Sequence, residues 1–233
     1  MKSKSKEPEI TEKTREITSR ALLLDTPGII ASLLIGGTVI FFSGQYAIPN
    51  FILLLLFLLI SVAATKYRHQ EKRKKGLYEH ERGWKNVLSN GSIPGLCCIG
   101  YFYTGDIVWI SAYLCSLAAA MADKFGSELG VLSGKSRSIV GFKSVRPGTS
   151  GAVSILGTFL SFVAALIMGV IGYFTLGFHP FSILYIGVVG FLGSLADSIA
   201  GVFEEMGIGT KSSSNIICTL AGAAIGYYFP IIF

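Results

Sequence analysis

Residues 47–75 read AIPNFILLLLFLLISVAATKYRHQEKRKK. From 47 to 65 there is no charged side chain, over the length a helix needs to cross the hydrocarbon core of a bilayer. The next ten residues hold six Lys and Arg. A greasy span stopped by a basic segment is the signature of a membrane helix ending in the cytoplasm. The span has no polar face, so it is expected to face lipid.

The rest of the chain repeats this pattern. Of 233 residues, 51% are hydrophobic and 15% charged, well under the roughly 25% of a soluble domain. Further apolar runs lie near 26–43, 87–103, 107–122, 152–176, 182–202 and 216–232. Asp25 and Pro27 mark a helix start for the first. Asn90-Gly91 and Pro94-Gly95 interrupt the 87–103 run, which reads either as a span or as a broken, cavity-lining segment. The sequence therefore predicts an all-α polytopic membrane protein with about seven transmembrane helices. Residues 1–20 form a cytoplasmic tail rather than a cleavable signal, and 21–233 form one transmembrane domain with cytoplasmic loops 66–85, 124–148 and 203–215. With the N-terminus inside, all twenty Lys and Arg fall on the cytoplasmic side, and the connectors near 45–49, 104–106 and 177–181 hold none. The net charge of +6 is thus a matter of topology and of contact with anionic lipid, the latter above all for the EKRKK run at 71–75. It is not a nucleic-acid footprint. The four cysteines sit in apolar runs without metal-site or disulfide spacing, and the three histidines are scattered.

The polar exceptions concentrate at the cytoplasmic boundary. Asp197, in GSLADSIAG, lies inside an apolar run, where a carboxylate costs about 2.5–3.5 kcal/mol on insertion scales and normally faces a cavity or a partner. Ser194 shares its helical face. Asp123 and Glu128 close the 107–122 run, with Ser127 one turn from Asp123. Glu128, five residues on, faces elsewhere unless the helix ends or unwinds near Gly126. Three acids at a common depth suit Mg²⁺, which takes one or two carboxylates with phosphate oxygens and water. The alternative is that Asp123 and Glu128 cap the span in water, and that Asp197 bonds a neighbouring helix.

The loop that follows carries only cations, Lys135, Arg137, Lys143 and Arg146, then Pro-Gly-Thr-Ser-Gly before the next run. The stretch from Arg146 to Gly151 is no Walker A loop, lacking the Gly-Lys-Ser/Thr ending and a preceding strand. Thr149 and Ser150, with the free amides of the following helix and the cations Lys143 and Arg146, read as an anion-binding end. Lys211 to Asn215, KSSSN, repeats the arrangement at the start of the last run. Asn90 either caps a helix or presents an amide to a phosphate.

Five blocks, RGWKNVLSNG (82–91), ADKFGSELG (122–130), VRPGTSGAVS (145–154), GSLADSIAG (193–201) and SSNIICTLAG (213–222), resemble in order those of an integral membrane family. It is the family called domain of unknown function 92, which includes transmembrane protein 19 and the plant phytyl-phosphate kinase. The resemblance implies a membrane-embedded prenyl-phosphate kinase, passing a phosphoryl group from a nucleoside triphosphate, CTP foremost, to an isoprenyl monophosphate such as phytyl or geranylgeranyl phosphate. Position by position it marks Asn90, Asp123, Ser127, Glu128, Arg146, Gly148, Thr149, Ser150, Gly151, Ser194, Asp197, Ser198 and Asn215. Lys124, Ser150 and Ala152 depart from the pattern and leave donor and acceptor identity open.

The expected roles follow from the residue types. Asp123, Glu128 and Asp197 hold Mg²⁺. Lys143 and Arg146 neutralise the transferring group, and Lys211 joins the nucleotide-binding set. Partners are the isoprenoid phosphate, the nucleotide and membrane lipids, with a homodimer left open and nucleic acid excluded. The expected place is the plasma membrane of a prokaryote, with the site facing the cytoplasm. The alternatives weighed are a transporter of a lipid phosphate or other anion, a CTP-dependent lipid nucleotidyl- or phosphotransferase, and a scaffold without catalysis.

Overall fold

A computed structural model describes residues 23–77 and 83–230. The expected cytoplasmic tail lies outside them. Among the described residues are seven long helices, α1 (Thr26–Phe42), α2 (Ala47–Lys66), α4 (Trp84–Thr104), α5 (Val108–Gly130), α6 (Ile155–Leu176), α7 (Phe181–Glu205) and α8 (Lys211–Tyr228), and the short α3 (His69–Lys74). α1 starts as the sequence predicts: Asp25 Oδ1 accepts from the Gly28 amide at 2.7 Å, and Pro27 sits in the first turn. α4 and α6 each end on a left-handed glycine, Gly105 and Gly177.

Three segments, Gly44–Lys66, Ile155–Leu176 and Phe181–Glu205, are by length and composition apolar enough to cross a membrane. α1 is apolar but only 17 residues long, and α5 and α8 carry more Gly, Ala, Ser and Cys. α5 is the most buried of the seven. Every residue from Ile110 to Ala122 is buried, on all faces of the helix, between α2, α4, α6, α7 and α8. Its small side chains let the neighbouring backbones close in: a Cβ on Gly222 of α8 would lie 2.6 Å from the Cys115 carbonyl oxygen.

The interruptions in α4 do not break it. Pro94 is buried within a continuous 21-residue helix, and Gly91 faces Ile35 of α1, where a Cβ would lie 2.4 Å from the Ile35 side chain. The glycines of this run serve helix packing, which tolerates proline where neighbouring helices hold the segment.

Contacts at one end join the ends of α2 and α5 through Thr65 and Glu128, the end of α5 and the start of α6 through Gly130 and Gly157, and the end of α7 and the start of α8 through Asp197 and Lys211. Asn215 and Ser89 join the starts of α8 and α4 there. At the opposite end aromatic rings pair, Tyr46 with Tyr101, Phe42 with Phe102 and Trp109 with Tyr227. Such rings favour the membrane–water boundary.

One part departs from an all-α architecture. Between α5 and α6 the chain forms a three-stranded antiparallel sheet, with β1 (Ser136–Ser138) between β2 (Ser144–Val145) and β3 (Ala152–Val153). Strands of two or three mostly polar residues show no alternation that a sequence reading can detect.

Candidate functional site

A cleft of about 480 Å³ opens at the charged end of the bundle, between α5, α6, α7 and the loop joining β2 to β3. Asp123 comes to it from α5 and Asp197 from α7, and the two carboxyls lie side by side, close enough for each to feel the other's charge. Asp197 is buried. Its Oδ2 accepts from Lys211 Nζ at 2.9 Å, while its Oδ1 has no hydrogen-bond partner. Ser127, Ser194 and Ser198 add hydroxyl groups to the same walls. Two facing carboxylates, one orphaned oxygen and several hydroxyls form a hard-oxygen donor set, which fits Mg²⁺ and has no soft or imidazole ligand for zinc.

Glu128 contributes to the cleft wall, but its carboxylate is engaged elsewhere. α5 stays helical through Gly130, so Glu128 is turned away from Asp123 and lies buried against α2 and α3. There Oε2 accepts from Lys72 Nζ at 2.9 Å, Oε1 meets Lys124 Nζ at 2.9 Å, and Oε1 also accepts from Thr65 Oγ1 at 2.8 Å. Among the described residues no three of His, Cys, Asp and Glu come together. The expectation that Glu128 acts with Asp123 and Asp197 as a metal acid is therefore corrected, because a carboxylate clamped by two ammonium groups has little left to offer a cation.

Lys72 escaped the sequence reading, which assigned the whole EKRKK run to topology. It is fully buried, with Nζ also donating to the carbonyls of Thr65 at 2.7 Å and Ala64 at 3.3 Å, the last turn of α2. A left-handed residue, Arg68 at φ 48°, folds α3 back so that this one lysine points inward. The missed signal was Glu128 itself, a buried acid whose helical phase denied it Asp123 as a companion.

The glycine-rich loop lines the cleft, but not as a helix start. Arg146, Gly148, Thr149, Ser150 and Gly151 form consecutive turns between β2 and β3, closed by the Thr149 amide on the Arg146 carbonyl and the Ala152 amide on the Thr149 carbonyl. Gly148 and Gly151 take φ +88° and +73°, a region suited to glycine. α6 begins four residues later and is capped by Ser154, whose Oγ accepts from the Gly157 amide at 3.0 Å. The start of α6 still reaches the cleft wall through Ser154, Gly157 and Thr158, with the Gly157 amide taken by the cap. Of the loop's own amides, that of Ser150 donates to the Glu205 carboxylate at 2.8 Å.

What presses the loop against the acid-bearing helix is a glycine pair. A Cβ on Gly201 would lie 2.5 Å from the Gly151 amide nitrogen, and one on Gly151 would lie 2.7 Å from the Val202 nitrogen.

The start of α8 is also corrected as a phosphate cradle. Thr210 and Ser213 form a reciprocal capping box that occupies their own two amides, and Lys211 is the residue of this helix on the cleft wall. Lys143 is exposed in the β1–β2 connection and is not on the cleft wall. Asn90 and Asn215 line a different cavity on the far side of Asp123, where Asn90 Nδ2 bonds the Asn86 carbonyl and Asn215 Nδ2 bonds Ser89 Oγ.

Comparisons with known proteins agree with this membrane architecture. A membrane protein of Methanocaldococcus jannaschii, itself uncharacterized, is 38% identical over 206 residues, covering 87% of this chain and 84% of that protein. One from Synechocystis, also uncharacterized, is 28% identical over 186 residues, covering 76% and 72%. The chloroplastic protein VTE6 of Arabidopsis thaliana is 24% identical over 218 residues, covering 90% of this chain and 65% of its own length. No solved structure matches the chain. Residues 16–223 match the integral membrane protein family DUF92, and this chain belongs to that family.

Proposed function

We propose that this protein is a membrane-embedded prenyl-phosphate kinase, which transfers a phosphoryl group from a nucleoside triphosphate, CTP foremost, to an isoprenyl monophosphate. The observation that carries the reading is the Asp123–Asp197 pair, set between Lys211 and the 146–151 loop at the charged end of the bundle. Carboxylates, cations and glycine-loop amides converging on one cleft are what a site for polyphosphates requires. The distant likeness to VTE6, a phytyl-phosphate kinase, supports an isoprenoid acceptor.

Asp123 and Asp197 would hold Mg²⁺, which in this chemistry neutralises donor phosphate charge. Arg146, with the loop amides not already bonded within the protein, would bind phosphate oxygens by charge-assisted hydrogen bonds. Lys211 adds a cation that its contact with Asp197 keeps in place. A monophosphate is already anionic and nucleophilic at neutral pH, so the step asks for alignment and charge compensation and needs no strong general base. Phe191 and Leu195, on the α7 wall, limit water at the reacting phosphates.

The same reading makes the seven long helices seven spans, with the N-terminus and the cleft facing the cytoplasm across a prokaryotic plasma membrane. Purified protein supplied with geranylgeranyl or phytyl monophosphate, Mg²⁺ and each of the four nucleoside triphosphates in turn is expected to form the prenyl diphosphate with at least one donor. No diphosphate with any donor would remove the kinase reading.

A further inference from the structure

A second cavity, of about 500 Å³, lies between α1, α2 and α4 and shares Asp123, Ser127 and Lys211 with the cleft. Its walls are almost wholly apolar, with Leu33 and Ile40 from α1 facing Phe51, Leu54 and Leu58 from α2. Its polar residues, Asp123, Lys124, Lys211, Asn86, Asn90 and Asn215 among them, gather at the cleft end. On α1 the lining runs from Ile29 to Ile40, about 16 Å at 1.5 Å per residue, roughly half the thickness of a bilayer core. The exposed Leu33 on this wall leaves the groove accessible from the lipid side.

Two adjacent glycines shape the groove. Gly36 turns toward α2, where a Cβ would touch Phe51 at 3.4 Å, whereas a Cβ on Gly37 would meet nothing within 4 Å. Glycine in the middle of a helix is unfavourable, so a position that needs no glycine for packing and has none of the positive φ that calls for one points to the space it leaves. Gly37 lies about 16 Å along α1 from Thr26, at the end of the groove remote from the acids.

We infer that this groove holds the hydrocarbon tail of an isoprenoid phosphate, with its head at Asp123, Ser127 and Lys211, and that the open space at Gly37 sets the chain length accepted. The inference rests on the kinase reading for the identity of the occupant. Geometry limits the occupant to an amphiphile, because the apolar walls lead without interruption to a charged mouth.

Binding of radiolabelled geranylgeranyl phosphate and geranyl phosphate to the detergent-solubilised full chain, with no nucleotide present, separates this inference from turnover. Gly37→Phe fills the far end of the groove and is expected to weaken geranylgeranyl phosphate by about tenfold or more relative to geranyl phosphate, through lost apolar burial. Leu34→Phe places the same ring on α1 at an exposed position outside the groove wall and is expected to bind as wild type. Equal weakening of both ligands by Gly37→Phe, no weakening of either, or co-purified phospholipid in the protein with no prenyl phosphate bound, would overturn the inference. Absence of turnover in an otherwise binding protein would remove the kinase reading and leave the groove assignment standing.

Discussion

Glu128 and Asp123 are five residues apart on one helix and have opposite circumstances. Glu128 is a structural acid: Lys72, with its side chain fully buried, has Glu128 as its counter-ion. Removing one partner of a buried pair leaves the other uncompensated, at about 3–5 kcal/mol. Glu128→Ala is therefore expected to lower the thermal midpoint in detergent by roughly 10 °C, scaling from soluble proteins of this size. Glu128→Leu combined with Lys72→Met is expected to recover most of that loss, since an apolar pair replaces the buried charges. A Glu128→Ala protein as stable as wild type would show that the clamp contributes nothing.

This contrast was half legible in the sequence. The spacing that separates Glu128 from Asp123 is helical arithmetic. The partner is not, because Lys72 stands among like neighbours and only the left-handed turn at Arg68 selects it.

At the scale of elements, the cleft depends on how closely the 146–151 loop lies on α7. Gly201→Ala puts a methyl group 2.5 Å from the Gly151 amide nitrogen, a backbone atom that moves only if the loop moves. Overpacking of this kind costs about 1–3 kcal/mol. The variant is expected to raise the donor KM several-fold while leaving the helices intact by circular dichroism. An unchanged KM would separate the loop from donor binding.

Most helix positions were legible, because the apolar runs stand out from their polar connectors and Asp25 and Pro27 mark the start of the first. The loop was read as an anion site at a helix start. Its real scaffold is a sheet whose strands are two or three residues long, too short to leave a periodic trace.

For the whole molecule, the twenty Lys and Arg predict one topology, with their segments in the cytoplasm. All four native cysteines are buried, so single introduced cysteines report against a low background. In intact cells an impermeant maleimide is expected to label Asp106→Cys and to spare Lys143→Cys until the membrane is opened. The reverse pattern would invert the protein and move the cleft to the outer face. The central claim is that Asp123 and Asp197, brought together by α5 and α7, form one phosphoryl-transfer site. Its most direct test is the rate of prenyl diphosphate formation by Asp123→Asn and Asp197→Asn proteins that retain the wild-type thermal midpoint. Each rate is expected to fall by about 10²-fold or more. Turnover near the wild-type rate in either variant would contradict the account.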